Sequence, residues 1–213
     1  MHYEKTGEPM DRELEKKLIE KVEQSGFSLE SLQELSEFYK RNIPEEGIPW
    51  LVRQFAGDSE DVEKIAHCCL GLGSEMEREG NYERAVLFYA YGLSVQPRTE
   101  DFRYFLNNNI GYSLAVLGRF VEARPYCEAA IRVNPYRYNA HKNLGLSLQG
   151  LGQYAEAAGS FMNAVRICHD IDQRAYNHLE ELLARHPELT DEIDGIQEFL
   201  VRYRPGRQDR VLH

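Results

Sequence analysis

The chain has 213 residues, of which 42% are hydrophobic and 28% charged, and its formal net charge is -10. This is the composition of a folded water-soluble domain, and the acidic total argues against a nucleic-acid-binding protein, which needs a basic surface to displace counterions. No stretch approaches the roughly 20 apolar residues of a membrane helix, and the N-terminus has no apolar signal segment. We therefore expect a cytoplasmic protein without membrane insertion.

The charge is unevenly distributed and divides the chain into three parts. Residues 1–65 have a net charge of -7, residues 66–171 are neutral, and residues 172–213 have a net charge of -3. We expect the middle part to differ in kind from the two parts that flank it.

The first part is predicted to be helical. Apolar residues recur there at a spacing of four, at Leu14, Leu18 and Val22, which is the period of one helix face. We expect an acidic helical cap or extension over residues 1–65, which is also a candidate surface for homodimerisation. Its predicted helices are 10–24, 28–42 and 49–55.

Three stretches of the middle part carry the same residues at the same offsets. Each has a glycine after an aliphatic residue, a second glycine seven residues later, an aromatic residue two positions further and an alanine three positions after that. The four residues are Gly73, Gly80, Tyr82 and Ala85 in the first stretch, Gly111, Gly118, Phe120 and Ala123 in the second, and Gly145, Gly152, Tyr154 and Ala157 in the third.

Each position of this pattern has a physical role in a pair of helices. The first glycine lets the two helices approach closely, and the second suits the left-handed position just after a helix end. Apolar residues at spacings of three and four mark the buried faces of both helices. Since a single helix pair cannot bury its apolar face alone, we expect the pairs to stack.

The pattern resembles the tetratricopeptide repeat, a helix–turn–helix unit of 34 residues. The resemblance covers residues 66–171 and implies an all-α fold, a right-handed superhelical solenoid of three helix pairs with flanking N- and C-terminal helices. Its units are 66–99, 104–137 and 138–171. The four additional residues 100–103 are expected to add one turn to the next helix, with Thr99 as its N-cap.

The two ends of the repeat region are predicted from local signals. The first repeat helix is expected to begin early, with Asp58 or Ser59 as N-cap. In the third part, residues 172–213, a capping helix over 171–185 places Leu179, Leu182 and Leu183 on one face, so that it covers the last repeat. A second helix is expected over 190–204, followed by a flexible tail.

The resemblance also implies a binding surface, because the first helix of each unit lines a concave groove in this family. The candidate groove residues, carried over position by position, are His67, Ser74 and Arg78 in the first unit, Phe105, Asn108, Asn109 and Tyr112 in the second, and Asn139, Lys142, Asn143 and Leu146 in the third.

The candidate groove is rich in side-chain amides. Each asparagine offers a donor and an acceptor, which suits the backbone of an extended peptide, while Phe105, Tyr112 and Leu146 offer apolar contacts. Asparagine at the sixth position is also a general feature of the repeat, so Asn109 and Asn143 fit a structural role as well.

We expect the protein to be an interaction scaffold or adaptor that binds an extended or helical segment of a partner protein. The alternative is a secretion-type chaperone for a hydrophobic client, since such chaperones combine an N-terminal helical extension with three repeats of this family. Some family members bind the C-terminal carboxylates of chaperones with a clamp of lysines and arginines. Here the second position of the three units holds His67, Phe105 and Asn139, and the sixth holds Gly71, Asn109 and Asn143, so these two clamp positions lack lysine and arginine.

No arrangement in the sequence indicates catalysis or cofactor binding. There is no nucleophile with a base and an orienting group, and no strand pattern that would carry a phosphate loop. His67, Cys68 and Cys69 are consecutive, and on a helix they point about 100° apart, so they cannot converge on one metal ion. We therefore expect a protein that is not an enzyme and needs no cofactor or metal.

Overall fold

A computed structural model describes residues 12–24, 61–168 and 172–205, with residues 34, 48, 52 and 55–57 in addition. The chain forms two compact units, Met1–Val95 and Gln96–His213. The predicted helices at 28–42 and 49–55 lie outside the described residues except at single positions, and so does the predicted tail beyond residue 205. The domain boundaries and the homodimer stay predictions.

The N-terminal unit contains the helices α1 (Arg12–Gln24), α2 (Val62–Arg78) and α3 (Tyr82–Ser94). The prediction of a helix over 10–24 is confirmed by α1. The prediction of Asp58 or Ser59 as N-cap of the first repeat helix is wrong. Asp61 is the N-cap, because its carboxylate accepts a hydrogen bond of 3.0 Å from the backbone N–H of Glu63 and so satisfies a free donor of the first turn.

The C-terminal unit is built from helix pairs that pack in chain order. Helix α4 packs on α5, α6 packs on α7, α5 lies against α6, α4 lies beside α6, and α8 covers α7. The regular elements among the described residues are all helices, and none of these residues forms a strand. This confirms the all-α prediction. The helices are α4 (Glu100–Val116), α5 (Phe120–Val133), α6 (Tyr138–Gly150), α7 (Tyr154–Cys168), α8 (Arg174–Arg185), α9 (Leu189–Glu192) and α10 (Ile196–Arg202).

The second glycine of each stretch ends the first helix of its pair, as predicted. The φ angles of Gly80, Gly118 and Gly152 are 75°, 73° and 75°. They lie in the left-handed region, which residues with a Cβ atom rarely adopt. In each case the following N–H reaches back to the carbonyl five residues earlier, for example from Gln153 to Leu148 at 2.9 Å. This paired helix-end motif stops all three helices in the same way.

The first glycine allows the close helix contact that the sequence predicts. A Cβ on Gly145 would lie 2.5 Å from the ring of Phe161, and one on Gly111 would lie 2.5 Å from Sγ of Cys127. Both distances are far below an ordinary contact of about 3.5–4.0 Å. Glycine is therefore required where the two helices of each pair cross.

The additional residues 100–103 form one extra turn of α4, as expected. Helix α4 has 17 residues against 13 in α6, and Thr99 is its N-cap residue. The extra turn carries Asp101, which pairs with Arg137 in the loop before α6. The added turn thus anchors the start of the next repeat.

Helix α8 closes the last helix pair with the three leucines that the sequence predicts on its inner face. Leu179 and Leu182 are fully buried and Leu183 is nearly so, in one cluster with Phe161 of α7 and Phe199 of α10. The prediction of one helix over 190–204 is wrong. Gly195 has a φ angle of 72°, and this left-handed residue separates α9 from α10. None of the described helices is long and apolar enough to cross a membrane.

Candidate functional site

Three of the predicted groove amides form a hydrogen-bonded chain between α4 and α6. The Asn143 side-chain N–H donates to Oδ1 of Asn108 at 3.1 Å, and the Asn108 side-chain N–H donates to Oδ1 of Asn109 at 3.0 Å. The two helices must lie side by side to make this contact, since Asn108 and Asn143 are 35 residues apart in sequence. We call these three residues the amide chain.

Both ends of the amide chain keep unused hydrogen-bonding capacity. Asn143 is 3% exposed, and its Oδ1 atom has no hydrogen-bond partner among the described residues. At the other end the half-buried Asn109 accepts through Oδ1, and its side-chain N–H groups donate to none of the described residues. A buried amide oxygen without a partner costs about 1–3 kcal/mol, and a neighbouring side chain has to move before a donor from outside the chain can reach this acceptor.

Lys142 is a buried cation next to the amide chain. It is 7% exposed, and its ammonium makes no hydrogen bond or ion pair within the described residues. Burial lowers its pKa, and the positive charge of Arg174 lowers it further, whereas Asp172 acts in the opposite direction. A cation in this position favours an anionic neighbour.

The nearby Asp172 does not serve as that neighbour because it is bound to Arg174. Its carboxylate accepts from the Arg174 guanidinium at 2.6 Å and from the Arg174 backbone N–H at 2.9 Å. These bonds hold the pKa of Asp172 well below its usual range. The Asp172–Arg174 pair therefore fixes the start of α8, and no carboxylate among the described residues forms an ion pair with Lys142.

A cavity of about 660 Å³ opens one helical turn beyond Lys142, a volume typical of ligand pockets. Of the groove residues predicted from the sequence, Leu146 lines this cavity. Its apolar walls come from the ends of α4 and α6 and the starts of α5 and α7, and its other wall comes from α8. The lining residues are Ala115, Val116, Phe120, Leu146, Gln149, Gly150, Tyr154, His178, Glu181, Arg185 and His186.

The two aromatic walls of the cavity are held in equivalent ways. Phe120 lies against Gly150, where a Cβ would collide with its ring. Tyr154, which is 34 residues further along and occupies the same repeat position, stacks on His186 with 3.6 Å between the ring centroids. These contacts fix both rings at the junction between successive first helices, so the cavity has preformed aromatic walls.

His178 forms part of the α8 wall and stacks on the buried ring of Phe161 at 5.5 Å. Burial lowers its pKa, and the nearby positive charges of Lys142 and Arg174 act in the same direction, against Glu181 and Asp172. The neutral imidazole is therefore favoured at neutral pH, and this wall of the cavity carries little charge at that position.

Phe105 and Asn139 lie at the opposite end of the same surface from the cavity. Phe105 is 39% exposed, and the guanidinium of Arg137 lies 4.8 Å from its ring centroid. Asn139 and Tyr112 are half-buried. We call the surface formed by the amide chain, Lys142, the cavity and these three residues the groove of the C-terminal unit.

The other three predicted groove residues belong to the N-terminal unit. Arg78 forms an ion pair with the buried carboxylate of Glu75, three residues earlier on α2. The Ser74 hydroxyl lies 3.3 Å from the hydroxyl of Tyr89 on α3, and His67 is exposed. Arg78 and Ser74 therefore have internal partners.

Sequence reasoning missed the part of the cavity that α8 contributes. It treated α8 as a cap and considered only its leucines, and it counted Phe120 and Tyr154 only as positions of the repeat pattern. The available signal was the place of α8 directly after the third unit, where the first helix of a further unit would begin. Counting from the first residues of α6 and α8, His186 occupies the place that Gly150 occupies one repeat earlier, so α8 faces the groove as a first helix does.

The buried cysteine thiols are consistent with a structural role in the packing of the core. Burial raises the pKa of Cys69 and of Cys127 to about 12, and a thiol protonated at neutral pH is a weak nucleophile and metal ligand. No group of three or more His, Cys, Asp or Glu side chains suited to a metal ion occurs in the part of the chain that the structure describes.

Comparison with known proteins identifies the repeat. No family model matches the chain. A curated relative, the TPR repeat-containing thioredoxin TTL4 of Arabidopsis thaliana, is 35% identical over 78 residues, which are 37% of this chain and 10% of that protein. The chain thus spans about a tenth of the length of that relative. Over that stretch of 78 residues the chain is similar to a tetratricopeptide-repeat protein.

Solved structures of tetratricopeptide-repeat proteins share the fold. MamA from Desulfovibrio magneticus RS-1, residues 41 to the end, superposes with a TM-score of 0.56 at 18% identity and covers 90% of this chain and 96% of that one. The second TPR domain of human RPAP3, solved in complex with an HSP70 peptide, has a TM-score of 0.52 at 21% identity and covers 57% of this chain and 97% of that domain. At these identities the comparisons establish the tetratricopeptide-repeat fold of the chain.

Proposed function

We propose that the protein is an interaction module that binds an extended segment of a partner protein in the groove of the C-terminal unit. The observation that carries the proposal is the buried Oδ1 atom of Asn143, which lacks a hydrogen-bond partner among the described residues. An extended segment presents free backbone N–H and C=O groups, and an N–H of this kind satisfies the Asn143 acceptor.

The amide chain matches a peptide backbone at both of its ends. Asn143 offers an acceptor, and Asn109 offers donors for a backbone carbonyl. The internal bonds from Asn143 to Asn108 and from Asn108 to Asn109 orient these end groups, which reduces the side-chain entropy lost on binding. Because the contacts are made to the backbone, they hold a segment without reading its side chains.

The structural relatives support the class of partner without specifying it. The RPAP3 domain was solved with the HSP70 peptide SGPTIEEVD, so a module of this fold accommodates a peptide. The groove proposed here carries amides at Asn139 and Asn143, positions where carboxylate-binding members carry cations. We therefore propose a partner that is held through its backbone rather than through a C-terminal carboxylate.

A chaperone for a hydrophobic client is a second candidate, favoured by apolar side chains exposed in the groove. Phe105 is 39% exposed and Val116 is 47% exposed, and both lie on α4. A chaperone keeps its client soluble, whereas an adaptor need not. Co-expression of the captured partner with and without this protein, followed by measurement of the soluble fraction of the partner, distinguishes the two.

The test of the proposed function is affinity capture from a lysate of the source organism, followed by mass spectrometry. The wild type is compared with the double variant Asn109→Ala/Asn143→Ala, which removes both free ends of the amide chain. We expect a partner to be retained by the wild type and lost by the variant, with unchanged helicity, because lost hydrogen bonds to the backbone weaken binding by about 1–3 kcal/mol. Equal retention by both proteins contradicts the proposal.

A further inference from the structure

We propose that the groove reads two side chains of the bound segment, a bulky apolar one in the cavity and an acidic one at Lys142, two to four residues apart. This inference rests on the proposed function and adds a sequence preference to it. The amide chain holds the backbone, and the two flanking features select which segments fit.

The cavity suits a large apolar side chain. Val116, Phe120, Leu146 and Tyr154 supply apolar walls, and Val116 leaves 47% of its surface in water. The aromatic walls are fixed by Gly150 and by the stack of Tyr154 on His186, so they need little rearrangement on binding. An apolar side chain that enters the cavity removes this surface from water, which is the main source of favourable free energy in such contacts.

Charge complementarity determines the second side chain. Lys142 and Leu146 are four residues apart on α6, so they lie on the same face of the helix. The groove positions on α4 and α6 carry amides, aliphatic groups and aromatic rings, and Lys142 is their one charged residue. A buried ammonium of this kind acts as a single point charge, and one acidic side chain of the ligand neutralises it.

The helix geometry sets the spacing between the two ligand side chains. With a rise of about 1.5 Å per residue, Lys142 lies about 6 Å from Leu146 along α6 and about 12 Å from Gly150 at the far end of the cavity. An extended chain advances about 3.3–3.6 Å per residue. The acidic residue therefore lies two to four residues from the apolar one, and Asn143, adjacent to Lys142, accepts from a backbone N–H near the acidic residue.

The first experiment selects random twelve-residue peptides on the full-length protein. The peptides are displayed on phage with their C-termini fused to the coat protein, so that acidic side chains are the carboxylates on offer. We expect the wild type to enrich peptides with an acidic residue two to four positions from a bulky apolar residue. Lys142→Gln should lose the acidic preference alone, and Leu146→Asp should lose the apolar one. Val121→Asp is the matched control, because Val121 is 74% exposed and lies outside the cavity lining, and it should keep both preferences.

The second experiment measures the coupling between Lys142 and the peptide. A fluorescent selected peptide and its acid-to-amide analogue are titrated against the wild type and Lys142→Gln. The wild type should prefer the acidic peptide by about tenfold or more, as expected for a charge-assisted hydrogen bond, and this preference should shrink with added salt. The variant should bind both peptides equally.

The outcomes separate this inference from the proposed function. Selection of peptides without acidic enrichment, or an acidic preference that survives in Lys142→Gln, overturns the inference while leaving the groove as the binding site. Binding of the selected peptides that is unchanged both in Leu146→Asp and in Asn109→Ala/Asn143→Ala places the binding surface elsewhere, and that result overturns the inference together with the proposed function.

Discussion

Replacing Gly145 with alanine tests the helix contact on which the repeat architecture depends. An added Cβ would lie 2.5 Å from Cε1, 2.6 Å from Cδ1 and 2.9 Å from Cζ of Phe161. The Phe161 ring is fully buried and stacks on His178. The ring therefore has to move by about 1 Å to restore an ordinary contact of about 3.5–4.0 Å, and the helices or His178 must move with it.

Two opposing effects determine how much Gly145→Ala changes the free energy of unfolding. Overpacking of this kind costs about 1–3 kcal/mol, while alanine in place of glycine inside a helix contributes about 1 kcal/mol. Gly159 on α7 provides the matched control, because a Cβ there meets nothing within 4 Å and only the helix gain remains. We expect Gly145→Ala to be destabilised by up to about 2 kcal/mol and Gly159→Ala to be stabilised by about 1 kcal/mol.

The assay is urea unfolding of both variants and the wild type, followed by circular dichroism at 222 nm. The free energy of unfolding should differ between the two variants by about 1–3 kcal/mol, in favour of Gly159→Ala. Equal stabilisation by the two substitutions would refute the reasoning, because it would mean that the Gly145 position tolerates a side chain against Phe161.

Three further predictions concern the helix end, the buried lysine and the buried histidine. Gly152→Ala should lower the free energy of unfolding by about 1 kcal/mol, because the φ angle of 75° is unfavourable for alanine; an unchanged urea midpoint would contradict this. Lys142→Met should raise that free energy by about 1 kcal/mol, because burial already disfavours the charge and methionine fills a similar volume; a lower melting temperature would contradict it. The pKa of His178 is lowered in the folded protein and is about 6.5 in the unfolded chain. The unfolded chain therefore binds more protons than the folded protein as the pH falls through that value. The stability should therefore fall as the pH drops from 7.5 to 5.5, and less so in His178→Gln, as thermal unfolding at each pH would reveal; an equal pH dependence in the two proteins argues against it.

Local features of the fold were predictable because single residues determine them. Gly118 and Gly152 adopt a left-handed conformation that few other residues accept, and Gly111 and Gly145 stand where a Cβ has no room. Thr99 is the N-cap residue of α4 without a capping hydrogen bond from its side chain, and Glu100 and Asp101 lie in the first turn, where the helix dipole favours acidic residues. The capping choice at Asp61 was missed because Asp58 and Ser59 offer the same capping chemistry, and the break at Gly195 was missed because the glycine was included in the interior of one predicted helix.

The candidate site was predictable only in part, because it depends on contacts between distant residues. The repeat register placed Asn108, Asn109 and Asn143 on one surface, but the direction of their hydrogen bonds follows from the placement of α4 beside α6. Arg78 was predicted to line the groove, because the sequence alone does not show its ion pair with Glu75. The wall formed by His178 and Arg185 comes from α8, which lacks the glycines that reveal the first helices of the other repeats.

The most direct test of the account is site-specific photo-crosslinking to the captured partner. A photoreactive phenylalanine analogue is placed at Val116, which lines the cavity, or at Val121, which lies five residues further along outside its lining; the wild-type side chains are 47% and 74% exposed. If the groove of the C-terminal unit binds the partner, position 116 forms an adduct with the partner and position 121 forms none. An adduct from position 121 without one from position 116 would contradict the central claim that the groove of the C-terminal unit binds the partner.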